Sequence, residues 1–162
     1  MTRLMIPVPL RWADLDAYGH VNNVAIMRLL EEARIAAFWR HPEAVDPGLS
    51  AAAVLDAGPG ATTHTLVARQ EVEYLLPLAY QRDPVTVEMW VGHLGGASIE
   101  VCYQLTTSRA GERSVYVQAA TTLVLIDAGT GRPRRITPEE RLVWETYFDA
   151  PLVLRRRASQ NR

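Results

Sequence analysis

Between Leu66 and Ile126 the chain alternates apolar and polar residues in separate short runs, a period of two that suits a half-buried strand and not a helix. In "PVTVEMWV" Val85, Val87, Met89 and Val91 alternate with Thr86, Glu88 and Trp90. In "ASIEVCYQLTT" Ile99, Val101, Tyr103 and Leu105 alternate with Ser98, Glu100, Cys102 and Gln104. "LVARQEVEYLL" and "SVYVQAATTLVLI" supply two more runs, with turn-like breaks at "HLGGAS" and "SRAGERS". Consecutive strands with short connections predict an antiparallel meander. An earlier extended segment, "LMIPVPLRW", belongs at an edge, because Pro7 and Pro9 each lack a backbone donor.

Only one long helix precedes these strands. Ile26, Leu29, Leu30, Ala33, Ala36 and Ala37 recur at helical spacing, and the reading places Arg28, Glu31, Glu32 and Arg34 on the opposite, solvated arc. The pattern predicts a helix of about 18 residues, longer than the usual 11 to 12, whose alanine-rich end can approach a sheet closely. Residues 12–21 read as a loop, and "SAAAVLDA" as a short helix between Gly- and Pro-rich stretches. "TPEERLVWETYF" starts a last helix with Thr137 as N-cap, Pro138 in the first turn and Glu140 in capping-box position.

Strand, helix and four strands make an α+β fold: a five-stranded antiparallel sheet with one long helix on one face. The other face then needs cover, and a second subunit is the simplest cover, which predicts a homodimer at least. The 162 residues suit a single domain over 1–162, with 150–162 as an unstructured tail.

Composition removes several function classes. The formal net charge of -1 gives no global field selecting nucleic acid or an anionic membrane. Every basic residue is arginine, so no lysine Schiff base or lysine nucleophile is possible. A lone Cys102 forms no internal disulfide and anchors no multi-cysteine metal site, and His41, His64 and His93 are too scattered for one. No apolar run reaches the roughly 20 residues of a membrane span, and "MTRLMIPVPLRW" lacks a signal-peptide core. The expectation is a cytoplasmic protein with no metal site.

The chemistry concentrates in "DLDAYGHVNN", residues 14–23, just ahead of the long helix. A helix start offers backbone N–H groups without intrahelical partners and a partial positive charge. Asn22 or Asn23 suits the N-cap. The plain reading is a loop braced by Asp14, Asp16 and Asn23, with His20 on the surface. The functional reading sets a carbonyl oxygen against the free amides from Gly19 to Asn23, while a nearby carboxylate attacks the carbon or activates water. An activated ester such as a thioester could be hydrolysed this way.

"RWADLDAYGHVNN…LLEEAR", "VEYLLPLAYQRDPVTVEMWVGHLGGASIEVCYQL" and "DAGTGRPRRI" together resemble the hotdog-fold acyl-CoA thioesterases of the 4-hydroxybenzoyl-CoA thioesterase family. The resemblance spans approximately residues 5–140. It implies a sheet wrapped round a central helix, two such sheets paired in a dimer of hotdogs, and cofactor-free cleavage of acyl-CoA thioesters at the subunit interface; coenzyme A and acyl carrier protein both stay open as the thiol half. It also implies that Asp16, the second Asp of D-x-D, is the catalytic carboxylate, and that the thioester oxygen meets the backbone N–H of Asn23. Members often carry an aromatic residue or histidine at that position, and Asn23 departs from them.

Other residues carry secondary expectations. His20 could serve as base or orienter, as in a hotdog dehydratase acting on β-hydroxyacyl thioesters; a non-catalytic acyl-CoA-binding dimer is the remaining alternative. Trp12 and Tyr18 flank Asp16 and are expected near the acyl chain. Arg132, Arg134 and Arg135 in "RPRR" could fork onto the phosphates of coenzyme A, or simply form a solvated turn. Homodimer and homotetramer both remain compatible with the sequence, and acyl-chain length is not legible in it.

Overall fold

The computed structural model describes residues 2–40, 52–56, 58–109 and 111–155. In chain order it contains β1 (Leu4–Val8), a 3-10 turn (Trp12–Asp14), α1 (Asn23–Phe38), β2 (Thr63–Tyr74), β3 (Val85–Leu94), β4 (Ser98–Arg109), β5 (Glu112–Asp127) and α2 (Pro138–Glu145). His41 lies outside the described residues, as does part of "SAAAVLDA", whose described portion, 52–56, forms no α-helix.

The five strands make one antiparallel sheet in the order β1, β3, β4, β5, β2. β1 occupies an edge, as its prolines predict, with Pro7 opposite Thr86. The expected meander holds only for β3, β4 and β5. β2 does not pair with its successor β3; it crosses to the far edge and pairs with β5, from Thr63 opposite Asp127 to Tyr74 opposite Val117. The segment after β2 is pinned elsewhere: Leu75 N–H donates to Tyr116 O and Val21 N–H donates to Leu78 O. Periodicity reports which face a residue takes and is silent on which strand lies beside it.

α1 lies on the inner face of this sheet. Asn22 caps it, its Oδ1 accepting the Val24 N–H at 2.8 Å. Leu29 and Ala33 are 0% exposed and Leu30 is 1% exposed, against the inner-facing Met89, Val101, Leu105 and Leu123. Burying each leucine contributes about 1.5–3 kcal/mol. Arg34 departs from the expected solvated arc: it is 4% exposed. The reason is geometric, since it stands four residues after Leu30 and three before Ala37, both on the buried stripe.

The opposite, outer face carries Glu88, Trp90, Cys102 and Gln104. The sequence pointed to a second subunit as its cover; the middle of this face is instead covered by the chain's own C-terminal stretch. Where β1 has ended, Val91 N–H donates to Tyr147 O and Asp149 N–H donates to Val91 O. Trp90 Nε1 donates to Ala150 O at 2.9 Å, and Arg3 lies 3.9 Å over the indole while its guanidinium bonds Asp149. Of the tail expected from residue 150, the part described runs to Arg155, whose N–H donates to the Glu73 carboxylate. A Cβ at Gly92 would come within 2.7 Å of Cys102 Sγ and 3.2 Å of Pro151 Cα, so the close approach of this stretch needs glycine there. α2 begins as predicted, with Thr137 and Glu140 forming a capping box. No described helix is long and apolar enough to cross a membrane.

Leu29→Ala leaves a void between α1 and the sheet and is expected to lower the unfolding free energy in urea by about 2–5 kcal/mol. A loss well below that range would contradict the packing described for α1.

Candidate active site

The loop ahead of α1 is built by two aspartates with different tasks. Asp14 is 2% exposed and ties three parts of the loop together. Its Oδ2 accepts the Arg11 backbone N–H at 2.8 Å, its Oδ1 accepts from the Arg11 side chain at 3.1 and 3.2 Å, and Arg28 Nη2 from α1 reaches both oxygens at 2.9 and 3.0 Å. Its carbonyl accepts the Asn22 N–H, so the same residue locks the loop to the helix cap. Burial pushes the Asp14 carboxyl upward, but the Arg11 hydrogen bonds and the Arg28 charge outweigh it and hold the group below its ordinary value of 3.8.

Asp16 is half-buried and closes a tight turn. Its Oδ1 accepts the N–H groups of Tyr18 at 2.8 Å and His20 at 3.0 Å, while Gly19, at φ 76°, donates its N–H to Asp16 O. Among the described residues no group donates to Oδ2. That oxygen is therefore left to accept from a ligand or water, on a side chain whose direction is fixed through the other.

Asp16 shares a cleft of about 340 Å³ with His20, Val21, Asn23 and Ile26 on one side and Tyr74, Leu75, Leu76, Pro77 and Leu78 on the other. Asn23 is the first residue of α1, and among the described residues nothing accepts its backbone N–H. The Tyr74 hydroxyl donates to the Asn23 carbonyl at 3.4 Å. Asp16 and Asn23, the latter with a helix-start amide unpaired among the described residues, therefore line the same cleft of mixed polar and apolar walls, an arrangement suited to an electrophilic carbonyl.

A family model described as the thioesterase-like superfamily matches residues 10–144. The chain belongs to that superfamily. It is a thioester hydrolase with the hotdog arrangement of sheet and helix. A thioesterase from Thermus thermophilus, complexed with coenzyme A and Zn, shares 28% identity over 88% of this chain and 92% of its own, at a TM-score of 0.63. The PA2801 protein of Pseudomonas aeruginosa is 27% identical over 87% of this chain and 98% of its own, with a TM-score of 0.65. A DHNA-CoA thioesterase from Staphylococcus aureus is 16% identical at a TM-score of 0.68, over 90% of this chain and 91% of its own, and shares the fold. No curated protein matches the chain.

The remaining expected residues of this thioesterase are dispersed. Trp12 is 72% exposed and stacks edge-on against Tyr80 at 4.8 Å, and Tyr18 is 85% exposed; neither lines the cleft within one chain. Arg132 and Arg135 are exposed at the opposite end of β2 from Asp16. Arg134 is engaged by Glu140, with Nη1 donating to Oε2 at 2.8 Å and Nη2 to Oε1 at 2.5 Å, and its Nε donates to Thr63 Oγ1 at 2.6 Å. Cys102 is fully buried on the outer face, where burial pushes its thiol up to about 11, far from a nucleophile's requirements. No cluster of His, Cys, Asp or Glu among the described residues is arranged to hold a metal ion. Sequence reasoning missed Tyr74, Leu75 and Leu76. Their signal was the apolar "YLLPL" running on past the strand, of which only Leu78 enters the core while Tyr74, Leu75 and Leu76 stay exposed.

Because the Asp14 carboxyl is depressed in the folded state, its contribution is complete above the ordinary carboxylate value and is lost as pH falls through the folded one. Asp14→Asn is expected to lower the thermal midpoint at pH 7 and to flatten the acid limb of the stability profile below about pH 4. An unchanged acid limb would assign that dependence to other carboxylates.

Proposed function

We propose that the chain hydrolyses acyl-CoA thioesters to a free acid and coenzyme A. The observation that carries this reading is the common cleft lined by Asp16, whose Oδ2 has no donor among the described residues, and Asn23, whose N–H has no acceptor among them. The thioester carbonyl oxygen is held by the Asn23 amide at the positive end of α1, so charge developing on it in the tetrahedral intermediate is stabilised where it forms. Asp16 then acts in one of two ways. It attacks the carbonyl carbon, expels the thiolate and forms a mixed anhydride that water cleaves, or it takes a proton from a water that attacks directly. His20 lines the same cleft and can orient the loop or the water.

The working unit in this reading is a homodimer. β2 is an edge strand with exposed Leu66, Val67 and Tyr74, and a long exposed edge of this kind is a template for pairing. Antiparallel pairing of two β2 edges about a two-fold axis would bring the start of one strand beside the end of the other. Arg132 and Arg135 of one copy would then approach the Asp16 cleft of its mate, where they suit the phosphates of coenzyme A. Coenzyme A bound to the Thermus thermophilus thioesterase supports the choice of thiol. The same pairing would bring Trp12 and Tyr18 under cover.

Asp16→Asn is an informative variant because the amide oxygen still accepts the two turn N–H groups and only the anionic oxygen is lost. Thiol release from acyl-CoA is expected to fall about 10²–10⁴-fold with no change in thermal midpoint. Retained turnover would reject Asp16; an enoyl thioester formed without thiol release would move the chemistry to His20. The double variant Arg132→Ala with Arg135→Ala is expected to raise KM for acyl-CoA about fivefold, corresponding to ~1 kcal/mol, while KM for the matching acyl-pantetheine stays constant. Equal effects on both substrates would separate these arginines from phosphate binding.

A further inference from the structure

Nothing in α1 holds Asp16 directly. Its Oδ1 accepts the Tyr18 and His20 N–H groups, its N–H donates to His20 O at 2.7 Å and its carbonyl accepts the Gly19 N–H at 3.1 Å, so among the described residues its hydrogen bonds all stay inside the loop 14–22. The returning arm of that loop is anchored to the segment after β2, with Val21 N–H donating to Leu78 O at 2.7 Å and His20 bridging to Ala79. The outgoing arm, which carries Asp16, has a different anchor. The two arms join where Leu15 bridges to Val21 and Asp14 O accepts the Asn22 N–H at 2.8 Å, and Asp14 is the residue that α1 grips.

Arg28 makes that grip from more than one turn inside α1, about 7.5 Å along the axis from Asn23 at 1.5 Å per residue. Its Nη2 donates to Asp14 Oδ1 at 2.9 Å and to Oδ2 at 3.0 Å, while its Nη1 donates to the carboxylate of Glu32, one turn further along the same helix. Nε is buried and donates to nothing among the described residues. A guanidinium paired with one carboxylate normally sets two nitrogens against two oxygens. Arg28 instead divides its nitrogens between a loop carboxylate and a helix carboxylate and leaves Nε orphaned, a cost that a plain surface ion pair does not carry. The result is a strut braced at both ends: Glu32 fixes the guanidinium on α1, and the Asp14 side chain, 1% exposed, receives it. Arg11 also binds Asp14, but from three residues back in the same arm, so it carries no information about where the helix lies.

We propose that Arg28 is a positioning residue, which acts through Asp14 to set the Asp16 carboxylate against the helix-start amide of Asn23. The proposal rests on Asp16 acting on a thioester at that amide. Arg28 itself meets no substrate; it fixes the angle between the outgoing arm and the axis of α1, and thereby the gap that the thioester carbonyl must fill. Losing the strut leaves the loop closed on itself but free to tilt, and a misplacement of about 1 Å is enough to cost about 10² in rate.

The test measures thiol release from acyl-CoA in variants of the strut. Arg28→Met keeps the aliphatic stem and is expected to lower kcat by about 10²-fold with KM near its native value. Arg28→Lys recovers only part of the loss, since an ammonium is a point charge that cannot span both carboxylates. Arg11→Met, which removes the other arginine on Asp14, keeps the native kcat. In an Asp16→Asn background Arg28→Met costs no further turnover, because the group it positions is already gone. Native kcat in a folded Arg28→Met protein overturns the proposal. So do equal losses in the two arginine variants, which would assign the effect to the charge on Asp14, and a full additional loss in the Asp16→Asn background, which would make Arg28 act apart from Asp16. If Arg28→Met does not fold, Glu32→Gln at the exposed end of the strut decides: a lowered kcat at constant KM and thermal midpoint upholds the strut, and a native kcat removes it. If the native chain releases no thiol, the hydrolytic reading fails by itself, and amide hydrogen exchange decides. Faster exchange of the Asp16 and Asn22 N–H groups in Arg28→Met but not in Arg11→Met, with β4 unchanged, upholds the positioning of the loop; native rates overturn it.

Discussion

The seating of the Leu29, Leu30 and Ala33 stripe of α1 on the inner face of a single antiparallel sheet sets the rest of the molecule. Alanines at 33 and 37 let the helix axis come close, and the inner residues of β3, β4 and β5 close round it. A helix held this way cannot shift along its axis without exposing its leucines. Its first turn is therefore a fixed point, and the Asn23 amide, without an acceptor among the described residues, is presented at one place in the molecule.

The loop before that turn is organised to keep a carboxylate beside the amide. Asp14 gives up all its freedom to Arg11, Arg28 and the Asn22 N–H, and so clamps the loop to the helix. Asp16, two residues on, uses one oxygen for the turn and leaves the other open. In the proposed reading, structure and chemistry are thus divided between neighbouring side chains of the same type. Burial and pairing make Asp14 a poor base, and partial exposure leaves Asp16 accessible to a ligand.

The two faces of the sheet follow opposite solutions. The outer face is closed by the chain itself, through Tyr147 to Arg155 and the Arg3, Glu88, Gln104 and Arg113 cluster. On the inner face α1 covers β3, β4 and β5, while Val67, Gln70 and Tyr74 of β2 stay exposed. The edge of β2, unpaired among the described residues, lies on that side, which is also where the candidate site opens.

Periodicity alone determined the strands, the long helix and its cap region, because burial of one face writes a repeat of two or of 3.6 into the local order of residues. The D-x-D and "HVNN" spacing likewise put Asp16 and Asn23 at one helix start, since residues that close in sequence cannot end far apart. What local order does not carry is which strands are neighbours: β2 crossed to β5 because "YLLPL" is pinned against the pre-helix loop, a contact between distant segments. The same holds for Arg34, read as solvated from its charge and buried by its place between Leu30 and Ala37, and for Arg134, whose partner Glu140 is met only after the turn has folded back. The packing of folded elements decided these, because a side chain's cost or value depends on the groups that the fold brings around it.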